Sequence, residues 1–122
     1  MKYNPKLQNQ ISGYLNYPII VEGKKDVLSL NELGFQRVYA IHETGIPLKI
    51  KLEELSKIIP KKEKVCILTD FDKKGKLLYF KIKQICSELG IKTDSTLRGL
   101  ILLANISHIE GLHTFIKKSN SY

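Results

Sequence analysis

Asp70 and Asp72 stand one residue apart at the end of the apolar run Val65-Cys66-Ile67-Leu68-Thr69, and Lys73-Lys74-Gly75 follows them. Paired carboxylates offer hard oxygen ligands to a divalent cation, or proton acceptors for acid–base work. The apolar run predicts a buried strand. An acid at the carboxyl end of such a strand sits at the sheet edge where open α/β folds place their ligands. A bend after the strand would bring both acids to one cation, and Gly75 suits a bend. A second run, Ile19-Ile20-Val21, also ends on an acid, Glu22, with Gly23-Lys24-Lys25-Asp26 after it. Taken singly, each of these features has a plain structural reading. Glu22 can favour the N-terminus of a following helix, Asp-Xaa-Asp is a common turn, Asp26 can start its helix, and a lysine pair is often only solvated.

The elements that must position these residues follow from periodicity. Asn4-Pro5 marks a helix start, with Leu7, Ile11 and Tyr14 or Leu15 at helical spacing. Val27, Leu30 and Leu33 give the next helix an apolar stripe, stopped by Gly34 and Phe35. Arg37 to Ile41 reads as a strand that closes at His42-Glu43-Thr44-Gly45, and the loop from Thr44 to Pro47 adds an edge element. Leu52, Leu55, Ile58 and Ile59 mark a third helix ended by Pro60. From Lys76 onward, Leu78, Ile82, Ile85 and Leu89 predict a long amphipathic helix ending at Gly90. Ile91 to Asp94 is a weak strand, Leu97 to Ala104 a compact helix, Ser107 to Glu110 a last strand, and Leu112, Phe115 and Ile116 a closing helix. Strands alternating with helices predict an α/β fold with a mostly parallel sheet of about four strands and helices on both faces. Its parallel strands share one carboxyl edge. Glu22, the Thr44-Gly45 loop, Asp70 and Asp72 are thereby gathered there, and three carboxylates so close call for a cation. Mg²⁺ is the natural occupant, with Lys24, Lys25, Lys73, Lys74 and Lys76 around it as donors for a polyanion.

Composition bounds the rest. A chain of 122 residues suits one domain spanning 1–122, with a core at about 18–95. It has no segment of membrane-spanning length and no signal-peptide core, so we expect a cytoplasmic protein without membrane contact. The net charge of +8 comes from 20 basic residues, of which only Arg37 and Arg98 are arginine, and it suggests nucleic acid as partner. Arg98 lies where a guanidinium fork could reach phosphate from the adjoining edge. Cys66 and Cys86 lack neighbours at metal-ligand spacing and read as buried apolar side chains. His42, His108 and His113 are isolated, and Tyr79 and Phe80 read as packing residues rather than stacking platforms for bases.

Ile19-Ile20-Val21-Glu22-Gly23-Lys24-Lys25-Asp26 and Ile67-Leu68-Thr69-Asp70-Phe71-Asp72-Lys73-Lys74-Gly75-Lys76 resemble the two signature motifs of the Toprim domain, the catalytic module of topoisomerases, bacterial-type primases, some nucleases and recombination proteins. The likeness runs from about Pro18 to Leu89. Within the superfamily the pattern looks most like the ribonucleases that mature precursor 5S ribosomal RNA, and like small stand-alone Toprim proteins. The resemblance implies a three-layer, Rossmann-like fold. It also implies that Glu22 is a general acid or base or a metal ligand, that Asp70 and Asp72 hold Mg²⁺ (Mn²⁺ being a substitute), and that the reaction is at a phosphodiester. Topoisomerases and primases usually carry a third aspartate where this chain has Lys74, which points away from strand passage or polymerisation and toward a nuclease-like site. Two further readings stand beside hydrolysis of RNA or DNA. One is a non-catalytic, metal-dependent nucleic-acid-binding accessory module, working as a homodimer or with a protein partner. The other is a binder of a small phosphorylated ligand.

Overall fold

Ile19, Ile20 and Val21 are consecutive and all fully buried, although strand side chains point alternately to opposite faces. Both faces of the sheet must therefore be covered, as parallel sheets require. A computed structural model describes residues 5–42, 45–104, 109 and 112. Its elements run in chain order: α1 (Pro5–Ser12), β1 (Ile19–Val21), α2 (Lys24–Glu32), β2 (Val38–Ala40), α3 (Leu48–Ile58), β3 (Lys64–Leu68), α4 (Lys73–Glu88), β4 (Lys92–Asp94) and α5 (Thr96–Leu103).

The four strands form one sheet in the order β2-β1-β3-β4, every neighbouring pair parallel. In register, Ile19 faces Val38 on one side and Cys66 on the other, and Val21 faces Ala40 and Leu68. The chain moves outward from β1 to β2, returns across β1 to β3, and continues to β4. With right-handed crossovers, this reversal puts α2 on one face and α3 and α4 on the other. The buried side chains sort accordingly. Ile19, Val21, Cys66 and Leu68 pack with Leu7, Leu30, Leu97 and Ile101, while Ile20, Val65 and Ile67 pack with Leu52, Leu55 and Ile82. The result is a three-layer α/β sandwich with helices on both faces of the sheet.

Two helices stop in the same way. The N–H of Phe35 donates to the Leu30 carbonyl and that of Gly34 to Asn31, with Gly34 at φ +101°. At the end of α4, Ile91 and Gly90 donate to Cys86 and Ser87, with Gly90 at φ +75°. In each case a left-handed glycine turns the chain sharply out of a helix and toward the next parallel strand.

Some details depart from the sequence expectation. α4 begins at Lys73, three residues before Lys76, because Asp72 caps it. Ile58 is 61% exposed and does not belong to the apolar stripe of α3. Ile59 lies two turns below Leu52 and takes that place, and a step of one residue carries Ile58 off the stripe. Phe80 is 64% exposed and is no core residue. Asn4, Glu43, Thr44, His108, Phe115 and Ile116 lie outside the described residues, as do the expected last strand and closing helix except for the buried Ile109 and Leu112. No helix among the described residues is long and apolar enough to cross a membrane.

Cys66 and Cys86 are free and fully buried, and burial pushes their thiols up to about 12 and about 11. Neither forms a thiolate at neutral pH, so neither should react with an aromatic disulfide reagent at pH 8 until the chain unfolds. Reaction of the native protein at the rate of a free thiol would contradict this packing. Because the folded values lie above the unfolded value of 9.0, the stabilisation is complete below pH 9 and is lost as pH rises beyond it.

Candidate functional site

Glu22 and the segment from Thr69 to Asp72 leave the sheet side by side, because Val21 and Leu68 are paired at the last register position of β1 and β3. β1 and β3 are also the strands between which the winding reverses, the crevice where open α/β sheets bind ligands. The first-read acids are thus on one rim, and the way they are held follows from the chain around them.

The first turn of α4 sits directly on the end of β3. A Cβ built on Gly75 would lie 2.0 Å from the Asp70 carbonyl oxygen, so no other residue allows this approach. Gly75 therefore serves close packing inside α4, and the bend expected of it lies earlier, at Asp70 to Asp72. Around that contact the polar groups are matched. The Gly75 N–H donates to Asp72 Oδ1 at 2.7 Å, an N-cap bond, and the buried Thr69 hydroxyl donates to the Gly75 carbonyl at 2.7 Å. Asp70 Oδ1 accepts the Ile109 N–H at 2.8 Å. Asp26 takes the role of a helix-starting acid, its Oδ2 accepting the Gly23 N–H at 3.1 Å.

Arg98 is 8% exposed and turned inward. Its Nη1 donates to the Thr69 carbonyl at 2.5 Å and to Thr69 Oγ1 at 3.2 Å, and Nη2 donates to the Asp70 carbonyl at 3.2 Å. The guanidinium lies between two rings, 4.3 Å from the centre of Phe71 and 4.4 Å from that of Tyr79. Burial lowers its pKa, against the opposing pull of Tyr79 and Asp70. These bonds correct the expectation of a phosphate contact, since the fork that would face phosphate grips the end of β3. The roles of Thr69, Phe71 and Tyr79 escape a reading by motif. The signal available for Thr69 is a hydroxyl closing an otherwise apolar buried run.

Lys24 and Lys25 occupy the first turn of α2, and Lys73, Lys74 and Lys76 the first turns of α4, all exposed. Lys74 Nζ lies 3.9 Å from Glu22 Oε1, tying the start of α4 to the end of β1. Positive charge near a helix N-terminus opposes the helix dipole, so this cluster is unfavourable on its own and relieved by an anion. His42 is exposed, and its backbone N–H donates to the Glu22 carbonyl at 2.9 Å.

Among the described residues, no group of three or more His, Cys, Asp or Glu stands assembled to hold a metal ion. The contacts show why: Glu22 faces Lys74, while Asp70 and Asp72 each have an oxygen on a backbone N–H. The donor set is nonetheless of the kind Mg²⁺ takes. It is oxygen only, at one rim and beside the exposed lysines of α2 and α4, and Mg²⁺ commonly needs just one or two carboxylates, completing its shell with waters and phosphate oxygens.

Fold and rim together define a Toprim-type α/β domain, and residues 17–110 match the Toprim domain family, to which the chain belongs. Within that family it is similar to the small UPF0292 proteins of archaea. It is 35% identical to one from Methanocaldococcus jannaschii over 83% of this chain and 79% of that protein. The one from Methanosarcina barkeri is 34% identical over 82% of this chain and 69% of its own length. A 68-residue stretch is 40% identical to the DNA primase DnaG of M. jannaschii, covering 56% of this chain and 15% of the primase. Among solved structures, a putative protein from Aquifex aeolicus superposes with a TM-score of 0.71 at 25% identity, over 90% of this chain and 99% of that one.

The contact at Gly75 yields a sharp comparison. Gly75→Ala should destabilise by about 3 kcal/mol, because the obstructing atom is backbone and cannot swing aside. Gly99→Ala, at an open helical position, should be neutral or stabilise by up to about 1 kcal/mol. Arg98→Lys keeps the charge and loses the fork, and should cost about 3 kcal/mol. Denaturant unfolding measures all three, and equal stability of the two glycine variants would contradict the geometry.

Proposed function

We propose that this protein is an Mg²⁺-dependent phosphodiesterase of the Toprim kind, acting on RNA or DNA in the cytoplasm. The observation that carries the reading is the placement of Glu22 and the Asp70–Asp72 pair at the carboxyl ends of the neighbouring strands β1 and β3. Membership of the Toprim family and similarity to a protein named as a DNA primase support a nucleic-acid substrate. The pattern from Asp70 to Lys76, with Lys74 in place of a third acid, favours hydrolysis and the branch of ribonucleases that mature 5S ribosomal RNA.

In this reading Asp70 and Asp72 hold the metal, with Glu22 as a third ligand or as the acid–base group. When bound, Mg²⁺ (or Mn²⁺ in its place) polarises the phosphoryl group and lowers the pKa of an attacking water. Glu22 takes a proton from that water or gives one to the leaving oxygen as the P–O bond breaks. Lys24, Lys25, Lys73, Lys74 and Lys76 bind the flanking phosphates, and Lys74 releases Glu22 when phosphate or cation competes for it. Arg98, Thr69 and Gly75 keep Asp70 and Asp72 in place. They are positioning residues.

A second reading is favoured by the present engagement of the acids, Glu22 facing Lys74 while Asp70 and Asp72 each accept a backbone N–H. In it the protein is an accessory module that binds nucleic acid and needs a partner, or a second copy of itself, to cut. Cleavage assays on structured RNA and on single- and double-stranded DNA, with Mg²⁺, Mn²⁺ or chelator, separate the two. Asp70→Asn and Asp72→Asn are informative because asparagine can accept the same backbone bonds and caps helices as well as aspartate. Each should keep stability within about 0.5 kcal/mol and lose at least about 100-fold in cleavage rate. Salt-sensitive binding with no cleavage under any metal would overturn the first reading and favour the second.

A further inference from the structure

A cleft of about 400 Å³ opens beside the carboxylate rim, between the β2–α3 connection and α4, and Glu22 and Lys74 form part of its wall. Apart from Glu22 and Lys74, none of its lining takes part in the chemistry above. Its inner wall is apolar, made by buried Ile41 and half-buried Leu48 and Leu78. Leu77, 66% exposed, and Ile46 extend that surface to the mouth, where Lys81 stands. A cavity of this size is within the range that takes small ligands, and its pattern is an apolar slot with cations at its edge and a carboxylate at one end.

We propose that this cleft receives an unpaired nucleobase of the substrate strand, so that the protein acts on single-stranded or frayed nucleic acid rather than on intact duplex. This rests on the nucleic-acid reading above and goes beyond it in naming the strand form and the subsite. Charge complementarity selects the occupant. A nucleotide presents the flat apolar face of its base to Ile41, Leu48 and Leu78 and an anionic phosphate to Lys74, while Lys81, two turns further along α4, faces the neighbouring phosphate of the strand. An apolar peptide would bring no anion to Lys81, and none to Lys74 beyond the Glu22 carboxylate already beside it. The shared residues fix the register as well: Lys74 belongs to the cleft and lies 3.9 Å from Glu22 Oε1, so a base held in the slot leaves its own phosphate at the carboxylate rim. A stacked, paired base could not enter without leaving the duplex.

The test uses the Leu77→Ser and Ile46→Ser double variant, both positions being exposed and outside the core. Fluorescence anisotropy at fixed low salt compares a single-stranded oligonucleotide, the same oligonucleotide made abasic, and a duplex of equal total charge. The wild-type protein should bind the single strand about tenfold more tightly than the other two. The variant should bind all three alike, at the level of the abasic strand. Equal binding of all three by the wild type, or a variant that keeps the preference, overturns the proposal. Sedimentation of both proteins checks the other occupant: a wild-type dimer that the variant reduces to monomer, with no base preference, assigns the cleft to a second copy and also overturns it. Failure of the catalytic reading is distinguishable, since base preference without metal-dependent cleavage leaves the subsite standing, and cleavage by both proteins without base preference removes only the subsite.

Discussion

The first turn of α4 rests on the carbonyl of Asp70, and the arrangement of the rim depends on that contact. It exists because Gly75 has no side chain: the nearest backbone oxygen would be 2.0 Å from a Cβ. From this approach follow the cap from Asp72 to the Gly75 N–H and the bond from the Thr69 hydroxyl to the Gly75 carbonyl. The position of Lys74 over Glu22 follows too. Arg98 closes the arrangement from the other layer of the sandwich, its fork on the end of β3 and its plane between Phe71 and Tyr79. Helix α5 thereby braces the rim through Arg98.

The topology decides what this local contact is for. Because the chain winds one way from β1 to β2 and the other way from β3 to β4, the carboxyl ends of β1 and β3 border the crevice where open α/β sheets bind ligands. Glu22, 48 residues before Asp70 in the sequence, is brought level with it by strand register alone. The lysines at the starts of α2 and α4 then stand where the helix dipole disfavours them, a local cost that a phosphate would remove. Placement of this kind points to a polyanion more firmly than the net charge of +8, which is spread over the whole chain.

Much of this was legible in the chain itself. Runs such as Ile19-Ile20-Val21 and Val65 to Leu68 announce strands buried on both faces, and acids at their ends mark the rim. Glycine stops at Gly34 and Gly90 are local signals and read correctly. What escaped depends on contacts across the fold. Gly75 suits a bend by type, yet its reason is the proximity of a backbone oxygen that only the tertiary packing supplies. Arg98 looks like a phosphate fork until the docking of α5 shows which way it is turned. Phe80 lies about 200° around α4 from Leu78, opposite the apolar stripe, a sign that its aromatic type overrode. The assignment of the three acids to one ion rests on their common rim and on family membership, with the hydrogen bonds of Asp70 and Asp72 and the ion pair of Glu22 competing for the same oxygens.

That competition makes direct cation binding the most searching measurement. Titration of the protein with Mn²⁺, followed by electron paramagnetic resonance, reads the ion without requiring turnover or substrate. The account predicts a saturable protein-bound signal that Mg²⁺ displaces and that Glu22→Gln and Asp70→Asn each weaken. A signal indistinguishable from Mn²⁺ in buffer, or one that both variants leave unchanged, would contradict it.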